Sequence, residues 1–158
     1  MARNEKNDET RDICRNRRAF HDYEIMDRLE CGVVLTGTEV KSLRDGHASL
    51  EDAYAKLEGG EVWMIGSDIP EYAMGNRMNH KPKRPRKLLL HRQEINKFAG
   101  KASERGFTLV PLRLYFKEGR AKVELAIARG KQLYDKRQSQ KKADAQREIR
   151  RSISERRR

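Results

Sequence analysis

The feature that most constrains the fold is a run of alternation between residues 107 and 130. Val110, Leu112, Leu114 and Phe116 alternate with Arg113 and Tyr115; Glu118-Gly119 interrupts the run; Ala121, Val123, Leu125 and Ile127 then alternate with Lys122 and Glu124. A period of two puts the apolar members on one face of an extended chain, and a Gly-containing break of two residues turns the chain back on itself. Such a hairpin needs a cover for its apolar face, and the remaining sequence supplies more of the same. Over residues 53–66, Ala53, Ala55 and Leu57 alternate with Tyr54, Lys56 and Glu58, Gly59-Gly60 makes a turn, and Val62-Trp63-Met64-Ile65 returns. Residues 20–35 are strand-like through Tyr23, Ile25, Val33 and Leu35, with Gly32 as a bulge.

Two short helices are predicted among these strands. Thr36-Gly37-Thr38-Glu39 has the spacing of a capping box, Val40 and Leu43 face inward, and Asp45-Gly46 ends the helix. In residues 91–105, Ile95, Phe98, Ala99 and Ala102 fall at i, i+3, i+4 and i+7, and Gly106 is the stop. Five or six short antiparallel strands with two short helices predict a mainly-β fold, a small closed antiparallel barrel, because closure removes exposed edges. The barrel domain is placed over residues 17–130. Residues 1–16 have no periodicity and are predicted to be a disordered arm. Strand patterning stops at Gly130. Residues 131–158 form a basic tail with only a thin stripe, Ala145, Ile149 and Ile153. With almost nothing to bury, the tail is predicted to be disordered alone.

Composition sets the class. Of the 158 residues, 38% are charged and 36% apolar, so a core of full chain length is excluded, though one of roughly 100 residues is not. The net charge of +12 is concentrated: residues 76–92 hold seven cations and no acid, and residues 131–158 hold eleven cations against four acids. Residues 19–75, by contrast, hold four cations and twelve acids. Focused cationic segments attract polyanions, of which nucleic-acid phosphate is the usual one. Apolar runs such as Val33-Val34-Leu35 and Leu88-Leu89-Leu90 are far too short to span a membrane. The first residues carry no apolar segment of a secretory signal. Cys14 and Cys31 stand alone, which argues against a disulfide framework or a zinc site and predicts a reducing, cytoplasmic setting.

No catalytic signature is present: no GxSxG, no HExxH and no phosphate-binding loop, since Gly130-Lys131 is followed by Gln132 and preceded at position 125 by Leu125. His21, His47, His80 and His91 never fall four apart. The adjacent pair Glu51-Asp52 points two ways. No enzyme, cofactor or metal is therefore expected. The binding candidates are cationic. Arg77, Lys81, Lys83, Arg84, Arg86 and Lys87 share one segment stiffened by Pro82 and Pro85, suited to tracking a phosphate backbone or to being an ordinary solvated loop. At the tail root, Lys131, Tyr134, Asp135, Lys136 and Arg137 put an aromatic among cations. Tyr134 can stack on a base or pack on the barrel end, and the residues alone do not choose.

Three motifs carry a resemblance. Gly37-Thr38-Glu39-Val40-Lys41-Ser42-Leu43-Arg44, Arg86-Lys87-Leu88-Leu89-Leu90, and Gly130-Lys131 with Tyr134-Asp135-Lys136-Arg137 resemble, in order and spacing, the SsrA-binding protein (small protein B) family over residues 15–158. The resemblance implies a barrel of oligonucleotide-binding type, with two or three short flanking helices and a tail that folds only on the ribosome. It implies a non-catalytic role in trans-translation. The expected partners are the tRNA-like part of transfer-messenger RNA, the stalled ribosome at its decoding site and mRNA channel, and the elongation factor carrying the aminoacylated RNA. Glu30 matches the family's acidic RNA contact and Leu89 its apolar one. His91 stands where relatives have asparagine, and an imidazole replaces only one of the amide's hydrogen bonds. Tyr134 stands where some relatives have histidine, and Ile149 and Ile153 match in the tail. Two other classes share this composition: structural ribosomal proteins with basic extensions, and RNA-processing enzymes.

Overall fold

A computed structural model describes residues 10–75, 79–104, 106–131 and 133–156, the side chains of 133–136, 138 and 139 excepted. The elements in chain order are β1 (Thr10–Arg15), α1 (Arg17–Asp22), β2 (Tyr23–Val33), α2 (Gly37–Arg44), β3 (Tyr54–Glu58) and β4 (Glu61–Ile65). They continue as β5 (Arg86–Leu89), α3 (Arg92–Ala102), β6 (Phe107–Lys117), β7 (Arg120–Gly130) and α4 (Leu133–Arg156). Both predicted hairpins form. In the first, Gly59 and Gly60 have φ of 61° and 76°, and in the second Glu118 and Gly119 have 52° and 75°. Two consecutive left-handed residues match the right-handed twist of the strands they join.

The strands form one antiparallel sheet in the order β1-β6-β3-β4-β5-β2-β7, and β6 also pairs with β7. One long edge of β6 is shared: β1 occupies its C-terminal half, from Arg15↔Arg113 to Thr10↔Lys117, and β3 meets it at Ala55↔Leu109. The core inside this sheet includes Leu43, Met64, Leu88, Val123, Leu125 and Ile127, all at most 2% exposed. Phe98 brings α3 onto it.

Three sequence expectations are corrected. Residues 1–16 were predicted to be disordered, but Thr10–Arg15 is strand β1, and Ile13 and Cys14 pack on the core. Its pairing partner lies about a hundred residues away, so no local pattern announces it. Phe20 belongs to helix α1, not to a strand. The buried Asn16 side chain starts that helix by accepting the Ala19 N–H at 3.1 Å, while its amide donates to the Pro111 carbonyl at 3.0 Å. Finally, the alternation in β6 does not stay on one face. A bulge between Pro111 and Arg113 reverses it, so Val110 and Leu112 join Ala19, Ala126 and Ala128 in a second small core beneath α1. Leu109 and Leu114 face the main core.

Helix α2 begins as the capping box predicts, with the Thr36 N–H donating to Glu39 Oε1 at 2.9 Å. Helix α3 begins in the same way, with the His91 N–H donating to Glu94 Oε2 at 3.2 Å. Helix α4 is continuous where the sequence predicted a tail disordered alone; its described side chains are all exposed, so it is a helix without packing against the domain.

Candidate nucleic-acid interface

The register of β2 against β5 assembles the first candidates. Gly32 pairs with Leu89 and Val33 with Leu88. Leu88 points into the core at 2% exposure and Leu89 points out at 51%. Continued two residues further, the same register sets His91 opposite Glu30. The strand ends first, and His91 becomes the exposed N-cap of α3. Glu30, Leu89 and His91, apart in sequence, thus share one stretch of outer surface. Gly32 lies between them, and a Cβ there would stand 3.2 Å from that of Leu89, so the leucine leans over a position that carries no side chain. On the other flank β7 sets Lys122 opposite Gly32 and Glu124 opposite Glu30. A groove results, with Val33, Leu89 and Phe116 as apolar walls and Arg120 and Lys122 as cations. Sequence reasoning missed Arg120, Lys122 and Lys117, because they are scattered among acids rather than clustered.

Glu30 is held in place. Its Oε2 accepts a hydrogen bond from the Tyr115 hydroxyl, and its Oε1 lies 3.6 Å from the Lys117 ammonium. Tyr115 is only 1% exposed, and the Arg113 guanidinium lies 4.1 Å above its ring. Arg113 in turn donates to Asp12 at 2.9 Å and lies 3.4 Å from Glu124. Burial, then the Glu30 carboxylate, push the phenol well above its ordinary pKa, so Tyr115 is a permanent proton donor.

The basic segment divides. Arg86, expected to meet RNA, is corrected: it is completely buried, and its guanidinium donates to Glu39, to the Ser67 carbonyl at 3.0 Å and hydroxyl at 2.9 Å, and to the Pro82 carbonyl at 3.0 Å. A group with no exposed surface cannot touch a phosphate. Arg84, half-buried, also donates to Glu39, and the Lys87 ammonium lies 2.7 Å from Glu61. Lys81 and Lys83 are exposed. Arg77 lies outside the described residues. Burial alone would raise the Glu39 carboxyl, but the Thr36 amide and the two guanidinium groups outweigh it and hold it below the usual range. Nearby, His80 Nε2 donates to the Ile69 carbonyl at 2.8 Å, leaving Nδ1 to accept from the Thr38 hydroxyl at 2.8 Å. Thr38, Glu39 and Ser42, the last bonded to the Pro70 carbonyl at 2.8 Å, make α2 an anchor for Pro70, His80, Arg84 and Arg86 on the way from β4 to β5.

At the tail root, the Lys131 N–H donates to the Asp22 carbonyl at 2.9 Å and its ammonium to the Phe20 carbonyl at 3.2 Å. The side chains of Tyr134, Asp135 and Lys136 lie outside the described residues. Arg137 is exposed, and Ile149 and Ile153 are 59% and 50% exposed. Among the described residues no three His, Cys, Asp or Glu side chains gather as a metal site, and no helix is long and apolar enough to cross a membrane. Burial pushes the thiols of Cys14 and Cys31 up to about 11 and about 12, which makes both poor nucleophiles.

A mainly-β domain with a carboxylate, an exposed leucine and flanking cations on one outer face, continued by a long cationic helix, has the character of a small RNA-binding protein. Comparison with known proteins narrows this. The family model described as SmpB protein matches residues 13–155. The SsrA-binding protein of Thermobifida fusca (strain YX) is 57% identical over 160 residues, covering 99% of this chain and 100% of its own. That of Corynebacterium jeikeium (strain K411) is 60% identical over 144 residues, covering 91% and 78%. A chain of the solved structure described as "tmRNA-SmpB: a journey to the center of the bacterial ribosome" superposes with a TM-score of 0.65 at 48% identity, covering 76% of this chain and 85% of that one. The chain belongs to the SsrA-binding protein family, RNA-binding proteins of trans-translation.

Proposed function

We propose that this chain binds the tRNA-like part of transfer-messenger RNA and delivers it to stalled ribosomes, where the nascent chain is tagged and the ribosome released. The observation that carries the reading is the convergence of Glu30, Leu89 and His91 on one exposed face beside the Arg120 and Lys122 groove. A carboxylate accepts hydrogen bonds from base edges, a leucine packs on a base, and cations hold phosphates. The β6–β7 pairing, which joins the two long strands across the sheet order, supports a closed barrel of oligonucleotide-binding type. The protein acts by binding, without catalysis, in the cytoplasm, alongside the elongation factor that carries the aminoacylated RNA. Its tail, helix α4, buries none of its described side chains against the domain, so the helix is only marginally stable in the free protein and is held firmly in the mRNA channel when no message fills it. There Ile149 and Ile153 find the apolar contact they lack here, and Tyr134, Asp135, Lys136 and Arg137 meet the decoding site. The test is to sequence the RNA that copurifies with the full chain from cells. One small structured RNA should dominate. A broad sample of cellular RNA, or ribosomal RNA surviving high-salt washing at one protein per ribosome, would point to a structural ribosomal protein instead.

A further inference from the structure

Tyr115 lies too deep for any ligand, and its ring already has cover from Arg113, so core packing alone would be satisfied by phenylalanine. Its hydroxyl is nevertheless directed at Glu30, a carboxylate on the accessible face. Each wall around the pair is also fixed. Arg113 is clamped between Asp12 and Glu124, and Lys117 stands 3.6 Å from the second oxygen of Glu30. A surface glutamate ordinarily samples many rotamers, and ordering such a side chain on binding costs affinity. Here one oxygen is occupied by a donor that cannot itself reach a ligand. The other oxygen lies 3.6 Å from the Lys117 ammonium, on a glutamate side chain that stays 40% exposed.

We propose that Tyr115 is a positioning residue for RNA recognition: its hydroxyl fixes the rotamer of Glu30, so that one carboxylate oxygen is presented ready-made to a hydrogen-bond donor on an unpaired base. The inference rests on the reading that Glu30 touches RNA. It identifies a buried tyrosine as a determinant of specificity and assigns the bound group to a base-edge N–H rather than a phosphate, which a carboxylate would repel. The tyrosine contributes order and no charge, so its removal should weaken binding without altering the dependence on salt.

The experiment measures affinity of the full chain for the tRNA-like fragment of transfer-messenger RNA, as wild type, Tyr115→Phe, Glu30→Ala and the double variant, with thermal melting of each. Tyr115→Phe should bind about tenfold more weakly, with an unchanged salt slope and near-unchanged melting. The double variant should bind no more weakly than Glu30→Ala alone, because a side chain that is absent needs no positioning. Weak binding by Glu30→Ala together with wild-type binding by Tyr115→Phe overturns the proposal and leaves the interface standing. Additive losses in the double variant also overturn it, since they would mean that Tyr115 acts through the fold at large. Wild-type affinity of Glu30→Ala overturns the interface reading itself.

Discussion

At the scale of single residues, the same residue type has two fates on this chain. Arg86 and Glu39 are both fully buried and bound to each other, so removing either strands a charge in the interior. Arg86→Ala should lower the unfolding free energy by about 3–5 kcal/mol, read from denaturant midpoints. The carboxyl of Glu39 is held down in the folded state, so its contribution is in full force above its unfolded pKa and declines as pH falls through the lower, folded one. Wild-type stability should accordingly drop in the acid range below about pH 4.5, the ordinary glutamate value, and Glu39→Gln should flatten that part of the profile. The surface pair behaves in the opposite sense. Glu30→Ala and Leu89→Ala should each cost roughly 1–3 kcal/mol of RNA affinity; Leu89→Ala should leave melting unchanged, and Glu30→Ala should lower it only by the unpaired Tyr115 hydroxyl. Loss of stability in step with affinity would instead place them in the scaffold. A count of cations along the sequence could not separate Arg86 from Lys83, because the acid that claims Arg86 lies 47 positions upstream. Nor did the alternation that revealed β6 reveal Tyr115's partner, two strands away across β7.

At the scale of elements, what the sequence made legible was whatever closes locally. Both hairpins announce themselves in their turn residues, and α2 and α3 in a cap and an apolar stripe that need no distant partner. The elements that escaped are those that depend on tertiary contact. The strand β1 is mostly polar and exists because β6 has an open edge, and α1 has six residues and a single buried one, Ala19. The bulge in β6 escaped for the same reason, since only the small core under α1 shows which way Leu112 must face. Helix α4 tests the principle from the other side. With a described surface wholly exposed, it adds nothing to the core, so a chain ending at Lys131, which keeps that residue's bonds to α1, should unfold with the same midpoint as the full chain. Truncation should lower affinity for free RNA only by the tail's charge, and should abolish tagging of stalled chains. Circular dichroism of a peptide of residues 131–158 should show little helix in water. A fully helical peptide, or full tagging without the tail, would sink the proposed role.

At the scale of the whole molecule, charge is sorted before it is used. Arg84, Arg86 and Lys87 spend theirs on Glu39 and Glu61, so the cationic segment contributes less to polyanion binding than its composition suggests. Each neutralised phosphate adds about −0.7 to −0.9 to the logarithmic salt slope. Measured on the tRNA-like fragment, Lys81→Ala and Lys83→Ala should each make the slope shallower by about that much. Lys87→Ala should change it far less, and an equal effect at all three would mean that the Glu61 pair opens on binding. The tail's attachment has a consequence of another kind. Lys131 is pinned to the α1 turn through both its backbone and its ammonium, so α4 starts from a fixed point on the domain. Twenty-four residues at 1.5 Å each extend about 36 Å when helical. Docked as a helix in its proposed role, the tail would therefore work as a measuring rod with one end mounted on the domain. On the proposed reading, a receptor for Ile153 lies within one rod's length of that mount, and one beyond the reach of the helix goes unread however well its chemistry fits.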